Sequence, residues 1–119
     1  MKIGSISGDL NSEKRISLTP ELSKKYLDLG VEIFINKSYG IHLDFHDSDY
    51  KKKGVQILNN IDEVINNCNS LLQINLPEIN YINKLKENIS LIGIFNPYRN
   101  KEKILIFFFN NKSIFFLFP

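Results

Sequence analysis

Short apolar runs alternate with amphipathic segments along most of the chain. The apolar runs predict strands over residues 2–6, 31–35, 55–58, 70–76 and 89–95. Apolar residues at helical spacing predict helices over residues 20–29, 47–53, 61–67 and 78–88. Because strands and helices alternate with short connections, the pattern predicts a three-layer α/β fold of the flavodoxin or Rossmann type, with a parallel sheet and helices on both faces.

Local signals predict where the helices begin and end. The stretch Thr19-Pro20-Glu21 combines a capping hydroxyl, a proline suited to the first turn and a carboxylate at the positive end of the helix dipole. Gly30 predicts the end of this helix. Asp47 or Ser48 is expected to cap the next helix.

The tail "ILIFFFNNKSIFFLFP", residues 104–119, is the most apolar part of the chain. We expect "ILIFFF" to continue a helix after Asn96-Pro97 and "SIFFLF" to add a sixth strand. Each apolar run is far shorter than the roughly 20 residues of a membrane helix, so we predict no membrane insertion. Phe107, Phe108 and Phe109 cannot all face one core, so we expect exposed aromatic surface and self-association.

The composition is that of one soluble globular domain. The chain has 119 residues, 43% hydrophobic and 24% charged, with a formal net charge of +2. The lysines at 51–53 are interpreted as a solvated helix face, so no nucleic-acid partner is expected. The single Cys68 excludes an intrachain disulfide and is interpreted as a structural thiol.

In parallel sheets, ligands bind where the carboxyl ends of the strands meet. The segments that follow strands there are 7–15, 73–77 and 96–100. Arg15 lies in the first of them, and its guanidinium could hold a carboxylate or a phosphate with two hydrogen bonds. The alternative is a surface arginine paired with Glu13 or Glu21.

Two other patterns do not define sites. Gly4 and Gly8 in "GSISG" lack the G-x-G-x-x-G spacing with which a backbone approaches a pyrophosphate. His42, Asp44 and His46 alternate like metal ligands, but the chain has no further histidine and only one cysteine to complete a site. We therefore predict no metal.

Taken in order, "MKIG", "EKRISLTPE", "LDLGVEIFINKSYG", "LLQINLP" and "LIGIFNPYRN" resemble the amino-terminal domain shared by alanine dehydrogenase and the alpha subunit of proton-translocating NAD(P) transhydrogenase. The resemblance covers residues 1 to about 104. It implies that Arg15, Gln73 and Asn96 face the crevice between two domains.

The departures from the alanine dehydrogenase pattern favour the transhydrogenase branch. In alanine dehydrogenases, the motif matching "LLQINLP" carries a substrate-binding lysine, where this chain has Gln73. The motif matching "GIFNP" carries a catalytic histidine, where this chain has Asn96. A neutral amide supplies neither a countercharge nor an acid–base group, so we expect no alanine dehydrogenase activity and assign no catalytic residue.

By the same resemblance, residues 1–119 form an incomplete domain whose segment 105–119 is a frame-shifted tail or a fragment end. The intact family protein uses NAD(H) and works with a second alpha subunit and membrane-embedded subunits, as a cytoplasmic protein peripheral to the inner membrane. We expect no cofactor and no activity for this chain alone. The alternatives are a non-catalytic remnant or small-ligand-binding domain, and a degraded relative of alanine or saccharopine dehydrogenase.

Overall fold

The computed structural model describes residues 1–11, 13–86, 88–93 and 102, together with the backbone of 113–116. The strands are β1 (Lys2–Ser5), β2 (Glu32–Asn36), β3 (Gln56–Leu58), β4 (Ser70–Gln73), β5 (Ser90–Gly93) and β6 (Ser113–Phe116). The helices are α1 (Pro20–Asp28), α2 (Asp47–Lys53), α3 (Ile61–Asn67) and α4 (Ile79–Ile82), with a 3₁₀ turn at Ile41–Leu43. Within these residues, no helix combines the length and apolar character needed to cross a membrane.

The strands form one sheet in the order β3-β2-β1-β4-β5-β6, and every neighbouring pair is parallel. The predicted parallel sheet is confirmed, and so is a sixth strand in the tail. The chain runs outward from β1 to β3 on one side and from β4 to β6 on the other. The side on which new strands are added therefore changes between β1 and β4. At such a point, open α/β sheets have a crevice at the carboxyl ends of the strands.

Helices cover both faces of the sheet, as predicted. Side chains alternate along β2, so Ile33 and Ile35 pack on one face and Phe34 on the other. The face of Ile33 is covered by residues of α1 and α2, including the fully buried Tyr50 of α2. The face of Phe34 is covered by α3, through residues such as Val64. The sheet and the helices on its two faces make the three layers of the fold.

Close packing of α3 on β1 depends on Gly4. A Cβ atom at this position would lie 2.9 Å from Cys68 Sγ and 2.9 Å from Val64 Cγ1. Burial raises the pKa of the Cys68 thiol to about 11, which agrees with its interpretation as a structural thiol. Gly4 thus serves helix–sheet contact rather than phosphate binding.

Helix α1 begins as predicted, but the predicted cap of α2 is wrong. The Thr19 hydroxyl accepts from the Leu22 N–H at 3.2 Å, and Pro20 opens the helix. Neither Asp47 nor Ser48 caps α2, because Asp47 already has helical backbone and its carboxylate accepts from the Ser38 N–H at 3.0 Å. The helix instead follows His46, whose backbone N–H donates to the carboxylate of Asp49 at 2.9 Å.

The predicted helix over 78–88 is wrong beyond its first turn. Helix α4 ends at Ile82, and Lys84 and Leu85 then donate hydrogen bonds three residues back, as in successive turns. Leu85 is buried in this turn, so its apolar position needs no helix. Strand β4 also stops at Gln73 rather than at residue 76, since the following residues leave the sheet. The predicted helix after Asn96-Pro97 lies outside the described residues.

Candidate functional site

A groove of about 690 Å³ opens at the carboxyl edge of the sheet. One wall is the loop that follows β1, and the opposite wall is the loop that follows β4. These loops diverge because the chain continues to one side of the sheet after β1 and to the other side after β4. The groove is therefore where the topology of the fold predicts a ligand site.

The groove brings together most of the residues that the sequence singled out. Arg15 contributes from the loop after β1, and Gln73 and Leu76 contribute from the end of β4 and the loop after it. Asn96 lies outside the described residues, so its expected position beside Arg15 stays a prediction. Roles for Arg15, Gln73 and Asn96 in binding a ligand stay predictions as well.

Arg15 combines the two alternatives drawn from the sequence: it lines the groove, and it is paired with Glu13. Its Nε donates to Glu13 Oε1 at 2.8 Å, and its Nη2 donates to the same oxygen. This hydrogen-bonded ion pair raises the pKa of Arg15 and lowers the pKa of Glu13. The side chain of Arg15 is 69% exposed and that of Glu13 only 19%. An incoming anion would therefore compete with Glu13 for the guanidinium.

Gln73 turns its amide toward the backbone of β1 rather than into open solvent. Its Oε1 accepts from the Ile6 N–H at 2.7 Å, and its Nε2 donates to the Ile6 carbonyl at 3.1 Å. The Ser5 hydroxyl also lies 3.0 Å from Oε1. Gln73 is only 8% exposed and bridges β1 and β4 just where their pairing ends. The protein's own main chain thus occupies both polar atoms of this amide.

Tyr39 is a groove residue that the sequence reasoning missed. Its buried hydroxyl accepts from the Ser17 and Leu18 N–H groups at 3.2 and 3.3 Å, and it lies 2.7 Å from Ser5 Oγ. Burial raises the pKa of Tyr39, so its hydroxyl stays protonated across the neutral range. Tyr39 follows the carboxyl end of β2. The rule that ligands bind at the carboxyl ends of parallel strands could therefore have identified it.

The alternating residues His42, Asp44 and His46 do not converge on one point. His46 Nε2 lies 3.0 Å from Asp44 Oδ1, whereas His42 Nε2 lies 2.7 Å from the carbonyl of Lys14. No group of three or more histidine, cysteine or acidic side chains in the described residues is arranged to hold a metal ion. His42 instead lines the groove beside the Arg15 loop.

The parallel sheet with helices on both faces defines this chain as an open α/β domain with a groove at the carboxyl edge of its sheet. The family model "Alanine dehydrogenase/PNT, N-terminal domain" matches residues 9–114. The chain belongs to this family.

Curated relatives match over most of this chain but over a small part of their own length. N(5)-(carboxyethyl)ornithine synthase of Lactococcus lactis subsp. lactis is 28% identical over 105 residues, which are 88% of this chain and 32% of that protein. NAD(P) transhydrogenase subunit alpha of Cereibacter sphaeroides is 26% identical over 102 residues, or 86% and 20% of the two chains. The chain thus spans a third or less of these relatives.

Solved structures agree on the fold. An L-alanine dehydrogenase superposes with a TM-score of 0.88 at 19% identity, over 96% of this chain and 31% of that one. A transhydrogenase from Sinorhizobium meliloti superposes with a TM-score of 0.88 at 20% identity, over 98% and 33% of the two chains. These likenesses support the parallel α/β architecture.

Proposed function

We propose that this chain forms one wall of the active-site crevice in an NAD(P)-dependent oxidoreductase, and that this enzyme is a proton-translocating NAD(P) transhydrogenase. In that role the domain works as part of an alpha subunit, with NAD(H) bound across the crevice by a second domain. Membrane-embedded subunits and a second alpha subunit would complete the assembly. The chain by itself would be inactive.

The state of Gln73 is the observation that carries the choice of the transhydrogenase branch. By resemblance, this position holds a substrate-binding lysine in alanine dehydrogenases. Here it is a neutral amide bound to the backbone of Ile6, at 2.7 and 3.1 Å. Hydride transfer between two nicotinamides needs no countercharge for an amino acid, so the substitution is compatible with that reaction.

The charges around Arg15 also favour the transhydrogenase branch. Among the described residues that line the groove, Arg15 is the sole lysine or arginine. Its guanidinium is already paired with Glu13. Asp9 and Glu78 also line the groove, so its carboxylates outnumber its permanent cations. A groove with this balance is poorly suited to a small substrate that carries several carboxylates.

A second candidate is a synthase of carboxyalkyl amino acids. It is favoured by the identity to N(5)-(carboxyethyl)ornithine synthases of Lactococcus lactis, which reaches 30% over 98 residues in strain IL1403. A carboxyethyl amino acid carries both carboxylate and amino groups. Arg15 would then bind a carboxylate, and the acidic side chains of the groove would face an amino group.

Domain exchange separates the two candidates. In one chimera this chain replaces the matching amino-terminal segment of the Cereibacter sphaeroides alpha subunit, and in the other it replaces that segment of the Lactococcus lactis synthase. The first is assayed for hydride transfer from NADH to NADP with its membrane partners. The second is assayed for formation of N(5)-(carboxyethyl)ornithine. The matched controls are both native enzymes and both enzymes without the segment.

We expect activity from the transhydrogenase chimera alone. Activity from the synthase chimera alone would establish the second candidate instead. If both chimeras fold but neither is active, while both native controls work, the chain is better described as a non-catalytic remnant or a small-ligand-binding domain.

A further inference from the structure

The arginine loop, defined as residues 13–18, is connected to the centre of the sheet by a chain of hydrogen bonds. Tyr39 Oη accepts from the N–H groups of Ser17 and Leu18 at 3.2 and 3.3 Å. The Tyr39 hydroxyl also lies 2.7 Å from Ser5 Oγ, and either of the two hydroxyls can be the donor. Ser5 in turn donates to the Leu72 carbonyl at 2.7 Å. These groups connect the loop through β1 to β4.

The same loop is held a second time on the other side of Arg15. His42 Nε2 lies 2.7 Å from the carbonyl oxygen of Lys14 and donates to it in the tautomer that carries the proton on Nε2. The imidazolium form also has this proton, so the contact persists when His42 is charged. Lys14 precedes Arg15, whereas the bonds from Tyr39 come after it. Arg15 therefore sits between two fixed points of the backbone.

We propose that Tyr39 and His42 are positioning residues that together hold the backbone of the arginine loop, from which Arg15 presents its guanidinium to the groove. Both come from the segment that follows β2, so one element sets both ends of the arginine loop. This inference rests on the proposed ligand-facing role of Arg15. Neither side chain needs to touch the ligand, since each acts through the backbone beside Arg15.

The Tyr39 contact is tested without any ligand by amide hydrogen exchange of the full chain, followed by NMR. Tyr39→Phe keeps the ring, which packs edge-on against Tyr50, and removes only the hydroxyl. We expect the amides of Ser17 and Leu18 to exchange about tenfold faster, because each loses its partner. The amide of Ile33 in the core should change much less. Tyr26→Phe removes a hydroxyl elsewhere and should leave the loop unaffected.

The His42 contact is tested by a rescue that separates positioning from general stability. His42→Ala should increase the fast backbone motion of Arg15, measured by ¹⁵N relaxation. His42→Gln, whose side-chain amide can donate to the same carbonyl, should restore the rigid loop. His46→Ala is the matched control, since His46 is exposed and pairs with Asp44 instead. His42 is only half-buried, so these variants should fold.

Anion titrations then test whether the positioning matters for binding. Pyruvate is the probe for a carboxylate and inorganic phosphate is the probe for a phosphate group, with the Arg15 Nε–H signal as readout. Tyr39→Phe and His42→Ala should each weaken binding by about three- to tenfold, and Arg15→Gln, followed through the backbone amides of the arginine loop, should show none. If neither probe moves the Arg15 signal in the unaltered chain, the ligand-facing role of Arg15 fails, while the exchange and relaxation data still decide the positioning role.

Two results would overturn the proposal. One is unchanged exchange at Ser17 and Leu18 in Tyr39→Phe. The other is a rise of similar size in the exchange rate of the Ile33 amide. That result would mean loss of global stability rather than release of the arginine loop. If His42→Gln shows the same increased backbone motion at Arg15 as His42→Ala, His42 is not a positioning residue.

Discussion

Replacement of Gln73 by lysine should destabilise this chain. Lysine has donors but no acceptor, so the Ile6 N–H that now bonds to Gln73 Oε1 at 2.7 Å would lose its partner. A buried donor left without a partner costs about 1–3 kcal/mol. We therefore expect the free energy of unfolding to fall by about 1–3 kcal/mol.

The assay is urea denaturation followed by circular dichroism, with Gln56→Lys as the matched control. Gln56 lies on the edge strand β3 and is exposed, so the same chemical change there should cost no more than about 0.5 kcal/mol. The urea midpoint should shift while the slope stays constant, because the surface exposed on unfolding does not change. Equal stability of the two variants would refute the structural bridge that we assign to Gln73.

Three further predictions concern the scaffold. Gly4→Ala should destabilise the chain by about 1–3 kcal/mol in the same urea assay, because the new Cβ meets Cys68 and Val64; a neutral effect would mean that α3 can move away. Thr19→Ala should cost about 1 kcal/mol through loss of the α1 cap, and Thr19→Ser should recover most of it. Burial raises the pKa of the Cys68 thiol from 9.0 to about 11, so stability should fall as pH rises through that interval. Cys68→Ala should flatten this part of the pH profile, and an unchanged profile would contradict the assignment.

The sequence was sufficient for the layered fold because the signals that define it are local. Helices α2 and α3 have the bounds that the helical spacing of apolar residues predicts. The strands are apolar on both faces, which is typical of a parallel sheet covered by helices. The strand order was not predictable in this way, since it depends on which faces pack together. The spacing of Ile79, Ile82 and Leu85 predicted too long a helix, because a turn can bury the Leu85 side chain just as a helix would.

The candidate site was predictable only in part. The strand-end rule placed Arg15 and Gln73 on one groove, because that rule depends on topology alone. It did not reveal that the Gln73 amide is bonded to Ile6, nor that Tyr39 joins Ser5 to the arginine loop. These contacts link residues far apart in sequence, and each depends on side-chain direction at a strand end. The resemblance to alanine dehydrogenase identified Gln73 as a departure, but the structure supplied its new partner.

The central claim, that this chain supplies one wall of a nicotinamide crevice and needs a second domain for the other, is tested most directly by binding of NADH. Fluorescence titration compares the purified chain with the same chain joined to the remainder of the Cereibacter sphaeroides alpha subunit. We predict saturable binding by the joined protein and none by the chain alone. Saturable binding of NADH by the isolated chain, with its fluorescence quenched, would contradict the account.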